Sequence, residues 1–172
     1  MSNCFYSILL IILFVKAELY AQPERYIVKA APFSSRIYDE FSPVFYKGGI
    51  VFCSNQNDNS LVSFNDEKNR LFKIFSVTKK GNTGWTPPKI LAKEITTGFN
   101  DGPVTFNENG NNIYYSRNTS VENSLRNISD TSNKLGIFSA ELINGIWTDI
   151  NPFAFNNPLY SFCPPALTPD GQ

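Results

Sequence analysis

Two pairs of adjacent carboxylates are the residues of this sequence whose types are suited to acid–base chemistry. They are Asp39-Glu40 and Asp66-Glu67. A glycosidase needs two carboxyl groups held at a set separation in space, and nothing in the sequence gives either pair a fixed partner. We therefore predict that both pairs lie in solvated loops and that the chain has no catalytic residue.

The chain of 172 residues contains no histidine, and this removes whole classes of chemistry. Ser-His-Asp and Cys-His nucleophiles are excluded, and so is zinc bound through imidazole. The formal net charge is zero, whereas domains that bind nucleic acid usually carry a basic face. We predict that the protein is not an enzyme and has no cofactor, no metal and no nucleic-acid partner.

Several Asp and Asn residues stand beside glycine, and two Asn residues stand in glycosylation patterns. Asp101-Gly102, Asn107–Gly110 and Asp170-Gly171 lack the spacing of oxygen ligands that a calcium loop requires, so we predict that they are hairpin turns. Asn118–Ser120 and Asn127–Ser129 match the pattern of glycosylation acceptors. In a bacterial protein they would be plain residues of the polar inserts.

Three cysteines are present, which is too few for a small disulfide scaffold. Cys4 precedes an apolar run and does not stand where a lipoprotein cysteine would. Cys53 and Cys163 can form a disulfide in an oxidising compartment. The interpretation that we favour is two buried side chains acting as small apolar groups.

The N-terminal segment resembles an export signal. Ser7–Val15 contains an apolar run that is too short to span a bilayer comfortably, and Ala21 offers a small residue for cleavage. We predict a signal peptide at 1–21, a linker at 22–36, and export to the periplasm or outer membrane. A retained anchor and a buried strand are the alternatives.

An internal repeat organises the rest of the chain. The matching segments are, in order, 42–46 and 102–106, 50–54 and 113–116, and 72–77 and 135–140. Each copy then has a Gly-containing turn and a Trp-Thr pair, at Trp85 and at Trp147. Pro43, Pro103 and Pro165 recur at nearly equal intervals. We predict that the tryptophans pack in the core of each unit rather than form a ligand platform.

Each unit is predicted to contain four short strands. A proline opens the first strand, where a missing N–H costs least, and a Gly-containing hairpin turn leads to a second strand that is buried on both faces. The third strands are predicted at 71–77 and 135–141. The fourth strands follow the tryptophans, near 89–92 and 151–155. Polar inserts separate the second and third strands, at 55–70 and 117–134.

Four strands per unit in tandem predict an all-β fold of the β-propeller type. We assign blade 1 to 37–97, blade 2 to 98–158, and the start of an incomplete blade 3 to 159–172. Two blades cannot close a ring, so we expect this chain to be the front of a longer protein. An oligomer that closes the ring, or a chain that is unstable alone, are the alternatives.

Two parts of the sequence, 165–171 and 113–157, resemble known families. Pro165–Gly171 resembles the opening of WD-like propeller repeats of the TolB type. Further motifs resemble the propeller region of OmpA-family envelope proteins of gliding-type bacteria: Ile113–Asn118, Leu135–Ala140, Trp147, Pro152-Phe153 and Phe155–Asn157. The family often has histidine where this chain has Pro164, and Asp-Gly where the first repeat has Lys47-Gly48.

The resemblance implies a non-catalytic scaffold or interaction module of the cell envelope. Its partners would be envelope proteins, with specificity in the polar inserts, and peptidoglycan would be bound only through a downstream domain outside this sequence. The alternative is the gating propeller of a serine peptidase of the prolyl oligopeptidase type, whose nucleophile elbow would also lie downstream. A gene remnant without function is a third possibility.

Overall fold

The computed structural model describes residues 26–56, 71–82, 84–119 and 134–168. The chain divides into two compact units, 1–30 and 31–172. In the first unit, the described residues 26–30 have no regular secondary structure and are exposed. The predicted signal peptide, Asp66-Glu67, Asn127 and Asp170-Gly171 lie outside the described residues.

The second unit contains two antiparallel sheets, and the prediction of an all-β fold is confirmed for the described residues. Sheet 1 contains β1 (Glu40–Tyr46), β2 (Gly49–Ser54), β3 (Lys73–Lys80), β4 (Gly84–Trp85) and β5 (Lys89–Ile90). Sheet 2 contains β6 (Asp101–Phe106), β7 (Asn112–Asn118), β8 (Leu135–Ile143) and β9 (Ile146–Pro152). Neither sheet closes on itself. The described ranges contain no helix, and so none that is long and apolar enough to cross a bilayer.

Tight turns join neighbouring strands at one end of each sheet. Lys47 and Gly48, with φ of 44° and 74°, connect β1 to β2, and Asn144 and Gly145, with φ of 53° and 83°, connect β8 to β9. Positive φ at both central residues is the requirement of the hairpin turn whose twist matches that of the strands. The predicted turn at 107–110 is also confirmed, between β6 and β7.

The two sheets repeat the same register between their second and third strands. Ile50 pairs with Val77 in sheet 1, and Ile113 pairs with Ala140 in sheet 2. These are the positions that the sequence repeat matches to each other. The repeat in the sequence is therefore a repeat of backbone pairing.

The first strand of each sheet contains a bulge that ends at a proline. The register shifts between Phe41 and Val44 in β1 and between Asp101 and Val104 in β6. Because proline lacks an N–H and a bulge twists the strand, this arrangement keeps other strands from pairing with these edges.

The fourth strands match the prediction only in part. β5 lies within the predicted range 89–92 and β9 reaches into the predicted range 151–155. Pairing begins earlier than predicted, because Trp85 pairs with Lys79 and Trp147 pairs with Leu142. In sheet 1 the outer strand is split into β4 and β5, because Pro87-Pro88 lies between them and supplies no N–H for a continuous ladder.

Each sheet has an aromatic face and a rear face. The aromatic face contains Phe52, Phe75 and Trp85 in sheet 1, and Tyr115, Phe138 and Trp147 in sheet 2. The rear face contains Val51, Cys53, Ile74 and Ser76 in sheet 1, and Tyr114, Ser116, Ile137 and Ser139 in sheet 2, as the pairing shows. The main core lies where the rear face of sheet 1 packs on the aromatic face of sheet 2, with Val51 and Ile74 against Ile113, Tyr115 and Phe138.

Two hydrogen bonds fasten the start of sheet 2 to sheet 1. Phe72 N–H donates to Asn100 Oδ1, and Asp101 N–H donates to Phe72 O, both at 2.9 Å. Pro103 follows two residues after this anchor. The connection therefore sets where the first strand of the next sheet begins.

The same anchor recurs one repeat later. Leu135 N–H donates to Ser161 Oγ at 3.2 Å, and Phe162 N–H donates to Leu135 O at 2.9 Å. Pro164 lies two residues beyond this anchor, so it, and not Pro165 as the sequence suggested, takes the place of the proline in sheet 2. Residues 161–168 form no strand.

Candidate interaction faces and the buried ion pair

The carboxylates of Asp39-Glu40 are hydrogen-bonded to neighbouring segments of the fold. Glu40 accepts hydrogen bonds from Ser34 Oγ at 2.6 Å and from Ser35 N–H at 2.9 Å. Asp39 Oδ2 accepts from Asn55 Nδ2 at 3.0 Å. The prediction that this pair has no fixed partner is wrong, because both carboxylates tie neighbouring segments to β1.

Asp101 does not lie in a turn, contrary to the prediction. It is the first residue of β6, and it is fully buried with 0% of its surface exposed. Its Oδ2 atom lies 3.1 Å from Lys73 Nζ, on β3 of the other sheet. Thr97 donates to the same carboxylate twice, from its N–H and its hydroxyl, at 2.8 Å each.

The Lys73–Asp101 ion pair joins the two sheets through the connecting segment. Lys73 Nζ also donates to Thr97 O at 2.6 Å and to Phe99 O. Burial raises the pKa of Asp101 above its ordinary value, and the Lys73 charge and the Thr97 hydrogen bonds oppose that rise. All of these groups are hydrogen-bonded within the fold, so the pair fastens the connecting segment to both sheets.

One feature of the sequence could have indicated this ion pair. Lys73 stands in the repeat where the second unit has Gly136, so the two copies differ at an otherwise similar position. Asp101 likewise has no acidic counterpart. Phe162 occupies its position in the next repeat and makes the same backbone hydrogen bond. A charge that is present in only one copy of a repeat marks a contact specific to that copy.

Asn118 is a strand residue, whereas the sequence suggested a polar insert. It ends β7 and is 5% exposed. Its Oδ1 accepts a hydrogen bond from Asn100 N–H at 3.0 Å. A side chain that is buried and bonded in this way is closed to glycosylation.

Cys53 and Cys163 are both free thiols, in different surroundings. Cys53 lies on the rear face of sheet 1 and is 0% exposed, whereas Cys163 is exposed. Burial, with smaller contributions from Cys163 and Asp101, raises the pKa of Cys53 to about 12. The prediction of two buried small side chains is correct for Cys53 and wrong for Cys163, and no disulfide joins them.

The aromatic face of sheet 2 receives a tyrosine from sheet 1. Tyr46 stacks on Phe106 with ring centroids 4.0 Å apart and lies 6.4 Å from the ring of Trp147. Its hydroxyl donates to Gly110 O at 3.1 Å. Trp147 is 5% exposed, so the prediction that this tryptophan packs in the core is confirmed.

The corresponding positions in sheet 1 are open. Phe45 and Trp85 have the same pairing positions as Phe106 and Trp147. They line a cleft of about 410 Å³ together with Lys47 and Lys79. The side chain of Phe45 is 89% exposed. We call this feature the Phe45–Trp85 cleft.

The rear face of sheet 2 is also less covered than that of sheet 1. Val51 and Ile74 are 1% exposed, whereas their counterparts Tyr114 and Ile137 are half-buried; Cys53 and its counterpart Ser116 are both fully buried. Large apolar side chains are exposed in the segment that follows this sheet: Phe153, Phe155, Leu159 and Tyr160. Among the described residues, no sheet packs on the aromatic face of sheet 1 or on the rear face of sheet 2.

Three polar atoms on β7 have no hydrogen-bond partner among the described residues: Tyr115 Oη, Ser116 Oγ and Arg117 Nε. Burial raises the pKa of Tyr115 to about 12. The guanidinium of Arg117 lies 3.9 Å from the centroid of the Phe138 ring, where a cation is attracted to the aromatic face.

Within the described ranges, no group of three His, Cys, Asp or Glu side chains is placed to hold a metal ion. No protein-family model, no curated protein and no solved structure matches this chain. Function must therefore be argued from the faces and contacts themselves.

Proposed function

We propose that the protein is an exported, non-catalytic β-propeller module that acts as a scaffold or protein-interaction unit of the cell envelope. The observation that carries the proposal is the packing of the rear face of sheet 1 on the aromatic face of sheet 2, between sheets of equal register. Sheets that stack in tandem with the same pairing are the building plan of propellers. In this proposal the two sheets are successive blades.

A scaffold role agrees with how the polar groups are used. The ion pair of Lys73 and Asp101 is buried and bonded within the fold, and the carboxylates of Asp39 and Glu40 hold neighbouring segments. Interaction surfaces, by contrast, are left open on both sheets. Exposed apolar side chains in a folded protein commonly mark places where another protein binds.

The proposed setting rests on the sequence resemblance described above. In this proposal the chain is the N-terminal part of an OmpA-family envelope protein, with a signal peptide removed after Ala21. Its partners would be other envelope proteins, and peptidoglycan binding would belong to a separate downstream domain.

The test is fractionation of the source cells, followed by intact-mass analysis of the native product. We expect the product in the envelope fraction, beginning at Gln22. A cytoplasmic product that retains residues 1–21 would overturn the export proposal. A fluorophosphonate probe applied to the same fraction tests the scaffold role, since labelling of the native product would instead support the peptidase alternative.

A further inference from the structure

The Phe45–Trp85 cleft is the counterpart of a site that is already filled elsewhere in the molecule. In sheet 2, Phe106 and Trp147 enclose the ring of Tyr46, which comes from the end of the first strand of sheet 1. Phe45 and Trp85 occupy the same register positions in sheet 1. The site in sheet 2, which holds the ring of Tyr46, therefore indicates that the cleft in sheet 1 can hold an aromatic ring.

The cleft differs from the filled site in charge. Lys79 pairs with Trp85 as Leu142 pairs with Trp147, so an ammonium group replaces an apolar side chain beside the tryptophan. Lys47 also borders the cleft, but its Nζ lies over the ring of Tyr46, 5.2 Å from the centroid, and its Cε would lie 3.5 Å from a Cβ added at Gly110 of sheet 2. Neither lysine forms an ion pair with another described residue.

We propose that the Phe45–Trp85 cleft binds an aromatic side chain, accompanied by a carboxylate, from the end of a strand in a neighbouring β-sheet of another protein segment. The aromatic ring would stack on Phe45 beside Trp85, as Tyr46 stacks on Phe106. The carboxylate would lie beside Lys79, which pairs with Trp85. This inference deepens the proposed function, because it names what a partner of the scaffold must present.

Part of the aromatic face of sheet 1 is already covered by the chain itself. Phe33 stacks on Phe52 with centroids 5.5 Å apart and meets Trp85 edge-on at 5.3 Å. Phe45 is left exposed beyond this cover. The partner's contact is therefore confined to the end of the sheet near the turn at Lys47, and a single aromatic side chain fits it better than a whole sheet face.

The experiment uses the full chain labelled with ¹⁵N and follows the indole N–H signals of its two tryptophans, which the variant Trp85→Phe assigns. N-acetyltyrosine, with its carboxylate, and N-acetyltyrosinamide, without it, are the probes. We expect N-acetyltyrosine to shift the Trp85 signal saturably in the millimolar range and to leave Trp147 unmoved. The neutral probe should bind roughly two- to fivefold more weakly, the range for an exposed ion pair.

Two variants separate the two parts of the proposal. Phe45→Ala removes an exposed ring and should weaken both probes about threefold or more. Lys79→Leu copies the residue of the filled site and should abolish the preference for the carboxylate. A preference that survives Lys79→Leu would overturn the assignment of the carboxylate.

Three results would overturn the proposal as a whole. They are no shift of Trp85, equal shifts of both tryptophans, and a Trp85 shift that depends on protein concentration without any probe, which would make a second copy of this chain the occupant. The measurement uses purified protein, so its failure is independent of the export and localisation tested above. Failure of those tests would likewise leave the result at the cleft intact.

Discussion

The ring of Tyr46, at the end of β1, lies nearly parallel to the ring of Phe106, at the end of β6, with 19° between the planes. The hydroxyl of the same tyrosine donates to Gly110 O in the turn after β6. One side chain thus joins the two sheets through an apolar and a polar contact.

Two substitutions of Tyr46 should separate the contribution of its hydrogen bond from that of its stacked ring. Tyr46→Phe loses only the hydrogen bond and should lower the free energy of unfolding by about 1 kcal/mol. Tyr46→Ala also removes the stacked ring and should cost about 3 kcal/mol. Urea denaturation followed by circular dichroism measures both.

Phe45→Ala is the matched control on the same strand and should stay within about 0.5 kcal/mol, because that ring is 89% exposed. A control that is as destabilising as Tyr46→Ala would contradict the assignment.

The Lys73–Asp101 ion pair should show strong coupling in a double-mutant cycle. Lys73→Met leaves a buried carboxylate without its cation and should cost about 3–5 kcal/mol. Adding Asp101→Leu to that variant removes the uncompensated charge. The double variant should therefore be destabilised by clearly less than the sum of the two single variants. Additive costs in denaturant titrations would show that the two side chains do not interact.

The raised pKa of Asp101 predicts how this residue affects stability as the pH changes. The folded state holds the proton of this carboxyl more tightly than the unfolded state does, because burial disfavours the charged form. Its contribution to stability is therefore greatest below its ordinary pKa of 3.8 and is lost as the pH rises through the higher folded value.

The measurement is the free energy of unfolding against pH for the native chain and for Asp101→Asn. The difference between them isolates this carboxyl from the others. Relative to the variant, the native chain should lose stability as the pH rises from below 3.8. A difference that instead grows with pH would mean that Lys73 and Thr97 outweigh burial and lower the pKa.

The repeat and its strands were predictable because alternation, glycine turns and tryptophans recur in the sequence at matching places. The start of each outer strand was not predicted, because the pairing of Trp85 with Lys79 and of Trp147 with Leu142 is a cross-strand relationship that no local pattern reveals. Pro165 was chosen over Pro164 for a similar reason. The anchor that decides between them is a pair of hydrogen bonds to Leu135, which is distant in sequence.

The ion pair was missed because Asp101 stands beside a glycine, a pairing typical of a turn. Its burial depends on Lys73 and Thr97 meeting it from two other segments. The open cleft could not be predicted either, since Phe45 alternates along β1 like a core residue. Only the comparison with Phe106, whose ring is covered by Tyr46, shows that its counterpart lacks a partner.

Close packing at Gly102 predicts a strong interaction with Cys53. A Cβ atom added at Gly102 would lie 2.4 Å from Cys53 Sγ, and φ is +98° there. Gly102→Ala should therefore cost about 3 kcal/mol or more through clash and backbone strain together. Cys53→Ala in the same chain removes the sulfur and should recover about 1 kcal/mol of that loss. Thermal and urea unfolding of the single and double variants measure the recovery.

Gly145→Ala is the control that separates strain from clash. Gly145 also has a positive φ, of +83°, but an added Cβ meets nothing within 4 Å. Its substitution should show the cost of strain alone, about 1 kcal/mol. Equal losses at the two glycines, without recovery by Cys53→Ala, would remove the clash from the explanation.

The two described cysteines should differ sharply in reactivity. Cys163 is exposed, whereas Cys53 is buried with a pKa of about 12, so about one Cys53 thiol in ten thousand would be ionised at pH 8. In a Cys4→Ser background, Ellman's reagent should modify one thiol rapidly in the native state and a second only on unfolding. Cys163→Ser should abolish the rapid phase.

Absence of a rapid phase in the parent, with an intact mass lower by two hydrogens, would instead mean that Cys53 and Cys163 are joined in a disulfide. The segment that carries Cys163 would then be held against the rear face of sheet 1.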